Sequence, residues 1–159
     1  MADEFLRLHS INKSFVGVNA LKNVSLSIRR GEVLCLAGEN GCGKSTLIKI
    51  ISGVYAPDEG EIIVGDKRYS KLTPADAIQM GIEVIYQDFA LFSNLSVAEN
   101  IALSEQIMKK KKCYNKKSAW EIADGALKRI HVDLDLSQPV EELTVAEKQV
   151  VAIARAISH

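Results

Sequence analysis

Apolar and polar residues change their spacing several times along the chain, and each change marks an element. Glu4 to Ile11 mixes the two classes at strand length. From Leu21 to Ile28, Val24, Leu26 and Ile28 alternate with polar neighbours, the period of a half-buried strand, ending at Arg29-Arg30-Gly31-Glu32. Val33-Leu34-Cys35-Leu36-Ala37 is a short apolar run, as a buried parallel strand shows. Leu47 to Ile51 has helical character and closes at Gly53. Glu61–Val64, Gly65-Asp66 and Lys67–Tyr69 predict a hairpin, and Ile82–Tyr86 a further strand.

Helix starts are written in the capping chemistry. Thr73-Pro74-Ala75-Asp76 has an N-cap, a proline at the first helical position and an acid in the first turn; Gly81 stops that helix. Ser96-x-x-Glu99 and Thr144-x-x-Glu147 are capping boxes. The first opens a helix to about Met108. The second opens one to about Ile157, with Ala146, Val150, Ile153 and Ile157 on one face. Between them, Ser118 to Ile130 is amphipathic, with Ala119, Ile122, Ala123, Ala126 and Ile130 together. Phe89 to Leu95 and Asp133 to Glu142 are loops.

The chemistry sits between the apolar run and the helix that follows it. Gly38-Glu-Asn40-Gly41-Cys42-Gly43-Lys44-Ser45-Thr46 fits G-x-x-x-x-G-K-[ST], the phosphate-binding P-loop. Its glycines let backbone N–H groups approach a phosphate. Lys44 supplies a point charge to the β- and γ-phosphates. The Ser45 hydroxyl suits Mg²⁺, and Thr46 opens a helix whose N-terminus favours an anion. Strand, loop and helix follow in the required order.

Composition changes little. The 159 residues carry 20 basic and 20 acidic side chains, so net charge is zero and nothing global points to nucleic acid. No apolar run is long enough to span a bilayer, and the N-terminal residues are expected not to be a secretory leader. Six lysines between Lys109 and Lys117 are taken as a solvated loop. Cys35, Cys42 and Cys113 have no metal-ligand spacing. Cys35 is expected to be a buried small hydrophobe. Cys42, inside the loop beside Lys44, is either a reactive thiol or a tolerated small residue.

Three further stretches narrow the class. Phe15 and Ala20-Leu21-Lys22-Asn23-Val24-Ser25-Leu26 precede the P-loop, Gln87 follows a strand after it, and LTVAEKQVVAIARAIS lies near the end. In that order the chain resembles the ATP-binding domain of an ABC transporter. GENGCGKSTLIKIISGVYAPDEGEI and YQDFALFSNLSVAENI are similar to the N-terminal ATPase half of monosaccharide importers of the ribose, galactose and xylose type. The resemblance implies an α/β fold: a P-loop NTPase (RecA-like) core with an antiparallel β subdomain (1–87), a helical subdomain (88–142), and a signature segment (143–159). The cofactors would be ATP and Mg²⁺. The partners would be a transmembrane permease subunit, a second ATPase domain arranged head to tail and, indirectly, a periplasmic or lipoprotein sugar-binding protein, with no nucleic acid. The location would be cytoplasmic, peripheral on the inner face of the cell membrane.

Residue roles follow from the same resemblance. Phe15 would stack on adenine with Val18 beside it. Asn40, Gly41, Gly43, Lys44, Ser45 and Thr46 would hold the phosphates and metal. Gln87 would contact Mg²⁺ and the attacking water. Thr144, Val145, Ala146 and Glu147 would meet the nucleotide of the partner domain. Two departures stand out. The signature is LTVAE where the family has LSGGQ, so Val145 and Ala146 crowd a place where glycines allow close approach, and Glu147 brings a carboxylate near a γ-phosphate unless the capping box turns it away. The family's acidic Walker B strand, its catalytic glutamate and a later histidine do not appear, and His9 and His131 stand at the wrong places to substitute. The expectation is therefore a piece incomplete at its C-terminus, with negligible ATP hydrolysis of its own. An ABC-type ATPase without a membrane partner and a degenerate regulatory half-site are the alternatives.

Overall fold

A computed structural model describes residues 4–86, 88–108 and 115–158. The chain forms two compact units, Met1–Val84 and Ile85–His159.

The first unit is built on β1 (Glu4–Phe15), β2 (Val18–Arg29), β3 (Glu59–Val64) and β4 (Lys67–Tyr69). They form one antiparallel sheet in the order β2-β1-β3-β4. Turns at Val16-Gly17 and Gly65-Asp66 make two hairpins, each reversing at a left-handed glycine. Leu6, Leu8 and Ile11 of β1 and Ile62 of β3 pack with Leu47, Ile50 and Ile51 of α1 (Lys44–Ile51). Leu72, Ala77 of α2 (Pro74–Gln79) and Ile82 complete this core. The expected α2 cap is present: the Thr73 Oγ1 accepts from the Asp76 N–H, and an Asp76 carboxylate oxygen accepts from the Thr73 N–H at 3.0 Å.

Two runs expected as strands are in no ladder. Neither Val33–Ala37 nor Ile82–Tyr86 pairs with a strand among the described residues. A parallel strand gains its hydrogen bonds only from neighbours, so apolar composition alone does not make one. The consequence is visible in burial. Val33 is 97% exposed, Leu34 and Leu36 are exposed, and so is Cys35, contrary to the buried position expected of it.

The second unit is helical: α3 (Val97–Met108), α4 (Lys116–Arg129) and α5 (Val145–Ala156). Val97, Ala98 and Ile101 meet Ala123, Ala126, Leu127, Val151 and Ala154. A 3₁₀ turn at Val140–Glu142 contributes Val140. The small residues of α4 allow close helix approach, so α3 packs directly against it. The buried side of α5 is centred on Val151 and Ala154, while Ala146 is exposed. Packing against both α3 and α4 rotates the buried stripe from the one that periodicity suggested. No helix among the described residues is long and apolar enough to cross a membrane.

Candidate functional site

The Gly38–Thr46 loop leads into α1, as its spacing requires. Gly43 is the N-cap at φ +93° and offers no side-chain cap. A Cβ at Gly43 would lie 2.3 Å from the Ala20 carbonyl oxygen and 2.8 Å from Leu21 Cδ2. The cause lies in the sheet. Lys13 pairs with Leu21 and Ser14 with Asn19, which leaves Ala20 as the extra residue of a bulge in β2. The bulge presses the Ala20 carbonyl against the loop. Gly41, at φ +83°, has open space where a Cβ would go.

Lys44 folds back over the loop. Its ammonium donates to the Gly38 and Glu39 carbonyls, both at 2.6 Å, and lies 3.6 Å from Cys42 Sγ. The loop's acceptors are thereby turned to the lysine. No backbone carbonyl among the described residues accepts from the amides of Gly41, Gly43, Lys44, Ser45 or Thr46. Those five donors, at a helix N-terminus, border a cavity of about 200 Å³ lined by Ala20, Asn40, Gly41, Gly43, Lys44, Ser45 and Thr46. Ser45 is exposed. A phosphate fits this donor set: it carries several acceptor oxygens and negative charge, and the loop supplies amides and one ammonium.

Phe15 and Val18 flank the first hairpin turn and pair with each other. Both keep apolar surface in solvent, Phe15 at 38% and Val18 at 68%. Phe15 is met by two side chains, and the Lys13 ammonium lies over its ring, 5.4 Å from the centroid. The Tyr55 ring meets it edge-on, with centroids 5.2 Å apart and planes at 60°. Asp58 fixes the strand just before it, accepting from Lys13 Nζ at 2.6 Å and the Ser14 N–H at 2.7 Å. The Lys13 hydrogen bond, helped by the Ser14 amide, lowers the Asp58 pKa below the ordinary carboxylate value. Tyr55 and Asp58 were not among the residues singled out by sequence, and Ala20 entered only as part of a longer stretch. Tyr55 and Asp58 lie in a turn cluster, and a bulge at Ala20 leaves no compositional trace.

Gln87 lies outside the described residues, as do Lys109–Tyr114 of the lysine cluster. The loop after Gln87 is closely tied. Asn100, fully buried on α3, accepts from the Phe92 N–H at 2.8 Å and donates to the carbonyls of Phe92, Leu95 and Ser96 at 2.9, 3.3 and 3.1 Å. Arg155, on α5, donates to the Ala90 and Phe89 carbonyls at 2.7 and 2.8 Å.

Thr144, Val145, Ala146 and Glu147 stand at the start of α5, in the second unit. The capping box there is closed. A Glu147 carboxylate oxygen accepts from the Thr144 N–H at 2.8 Å and from the Thr144 hydroxyl at 2.7 Å, while the hydroxyl oxygen accepts from the Glu147 N–H at 3.3 Å. These bonds, the hydroxyl's first, lower the Glu147 pKa. The one hydroxyl proton of Thr144 is thus directed at a carboxylate within its own turn. Val145 is 72% exposed.

A glycine loop wound onto a helix N-terminus beside an antiparallel sheet, with a separate helical unit, defines the P-loop class of the cassette type. The family model described as "ABC transporter" matches residues 21–159. The chain belongs to the ABC transporter family. It is 44% identical over 156 residues to "Ribose import ATP-binding protein RbsA 2" of Streptomyces coelicolor, covering 98% of this chain and 30% of that protein. It is 41% identical over 155 residues to "Xylose/arabinose import ATP-binding protein XylG" of Sulfolobus acidocaldarius, covering 97% of this chain and 61% of that one. The chain therefore spans about a third to three-fifths of these relatives. Among solved structures, a nucleotide-free ATP-binding cassette from an ABC transporter superposes with a TM-score of 0.81 at 28% identity, over 98% of this chain and 65% of that chain. A dimeric cassette in a post-hydrolysis state bound to ADP and Pi gives 0.78 at 27%, over 96% and 69%.

Proposed function

We propose that this chain is the ATP-binding part of a sugar importer. It would hold Mg-ATP at the Gly38–Thr46 loop and pass the effect of binding and hydrolysis to a membrane permease. The observation that carries the reading is the set of five unclaimed amides around the Lys44-braced loop, a donor arrangement that suits a polyphosphate. The names of the relatives support the transport context, since they are import ATP-binding proteins for ribose, xylose and arabinose.

In this reading Gly41, Gly43, Lys44 and Thr46 hold phosphate oxygens, Asn40 borders them, and Ser45 gives its hydroxyl to Mg²⁺. The metal would neutralise charge on the phosphates. Phe15, with Val18, offers its exposed apolar surface to adenine, with Tyr55 and Lys13 against the ring. Gln87 is the group expected to orient water. Residues 1–87 form the core with its β subdomain, 88–142 the helical subdomain, and 143–159 the signature segment. The partners are a permease, a second ATPase domain head to tail and, indirectly, a sugar-binding protein; the location is the inner face of the cell membrane.

A second reading has an observation of its own. The closed Thr144–Glu147 box turns the signature hydroxyl toward a carboxylate rather than outward. That favours a degenerate, regulatory half-site at the partner's nucleotide, within the same family.

The test is calorimetric titration of the chain with Mg-ATP beside the Lys44→Ala variant. Wild-type binding that the variant loses by tenfold or more supports the reading. Equal binding by the variant, or no binding by a chain with native circular dichroism, refutes it.

A further inference from the structure

Phe89 and Ala90 both lie in the left-handed region, at φ +57° and +46°. Neither is glycine, and two such residues in succession are held only where the surroundings over-determine them. The Phe89 and Ala90 amides donate to the Tyr86 and Asp88 carbonyls at 3.0 and 2.7 Å, and Arg155 secures the turn from outside. Its guanidinium reaches across 65 and 66 positions of sequence to the two carbonyls at the strained turn. A planar fork with several fixed donors suits two adjacent carbonyls, which a lysine could not bridge equally. Charge-assisted bonds of this kind are also stronger than neutral ones.

The rest of the loop is secured from other elements. Asn100 of α3 takes Phe92, Leu95 and Ser96, and the N–H groups of Glu141 and Val140 donate to the Ser93 and Leu95 carbonyls, both at 3.0 Å. Arg155 is therefore the link from α5 to the strained half of the loop. The same helix carries Thr144 at its opposite end. A 12-residue α-helix moves as a rod, so a tilt imposed at Thr144 displaces Arg155 and draws the Phe89-Ala90 turn with it.

We infer that Arg155 is a positioning residue: it ties the loop 89–95 to the signature helix, so that nucleotide engaged at Thr144 is felt by that loop, which the same inference sets against the permease. This rests on the importer reading above for the identity of the two ends. The tie itself rests on the two hydrogen bonds and the paired left-handed residues.

Two measurements test it. In hydrogen exchange on the 159-residue chain, Arg155→Met should raise exchange at the amides of 89–92 about tenfold or more while leaving α4 unchanged. Arg155→Lys, able to keep one bond, should fall between. An unchanged loop, or acceleration as large in α4 as in the loop, would overturn the tie. In proteoliposomes holding the whole transporter, Arg155→Met should cut the permease-stimulated hydrolysis relative to the basal rate at least fivefold, with the basal rate kept. An unchanged ratio overturns the coupling. A wild-type transporter with no stimulation by its permease sinks the importer reading and the coupling together, and the exchange experiment still decides whether Arg155 holds the loop.

Discussion

Replacing Gly43 by alanine sets two separable costs against each other. The first is conformational. At φ +93° an L side chain costs roughly 1–2 kcal/mol. The second is steric. The new Cβ would sit 2.3 Å from a backbone oxygen, that of Ala20, where real contacts are longer than 3.0 Å. A carbonyl in a bulged strand cannot swing aside as a side-chain tip would, so overpacking adds about 1–3 kcal/mol. The sum is about 3 kcal/mol. Gly41→Ala isolates the first cost, since its φ is +83° and nothing lies within 4 Å of the added methyl; about 1 kcal/mol is expected. Thermal melts of the two variants should differ by roughly 6 °C, because 1 kcal/mol moves the midpoint of a chain this size by about 2–4 °C. Mg-ATP titration should show Gly43→Ala losing affinity by more than tenfold, as the loop shifts away from the bulge, and Gly41→Ala losing less. Equal destabilisation by the two variants would refute the claim that the Ala20 bulge shapes the loop.

Two further outcomes follow from side chains already placed. Asn100→Ala removes four side-chain hydrogen bonds from a fully buried site and strands the Phe92 N–H, while the Phe92, Leu95 and Ser96 carbonyls keep the amides of Leu95, Val140 and Asn100. A loss of about 2–3 kcal/mol is expected in a urea unfolding series, with the larger change in the 89–96 loop; a change within 0.5 kcal/mol, roughly the level of an ordinary surface substitution, would contradict it. The lowered Glu147 pKa fixes the sign of a pH effect. A carboxyl whose folded pKa lies below its unfolded value stabilises fully above the unfolded value and loses that stabilisation as pH falls through the folded one. Wild-type stability should therefore drop below the ordinary glutamate value of 4.5 more steeply than that of Glu147→Gln. Parallel pH profiles for the two would show that the closed box contributes nothing.

Local chemistry was written in the sequence. The P-loop spacing, the Thr73 N-cap, the two capping boxes at Ser96 and Thr144, and the hairpin turn at Gly65-Asp66 all appear where the residues put them. Each depends on neighbours within a few positions, so short-range hydrogen bonding and backbone sterics suffice. The family was legible for the same reason, because its motifs are local.

What the tertiary structure decided is everything that needs a distant partner. Val33–Ala37 has the composition of a buried strand, but a ladder is a property of two strands, and no described residue pairs with it. Cys35 is exposed on the same account. The buried stripe of α5 is set by where α3 and α4 lie, so Val151 and Ala154 are buried and Ala146 is not. The Ala20 bulge against Gly43, the Tyr55 ring against Phe15 and the reach of Arg155 to Phe89 and Ala90 join residues 23 to 66 positions apart. No periodicity or spacing encodes such pairings; they exist only once the chain has closed the loops between them.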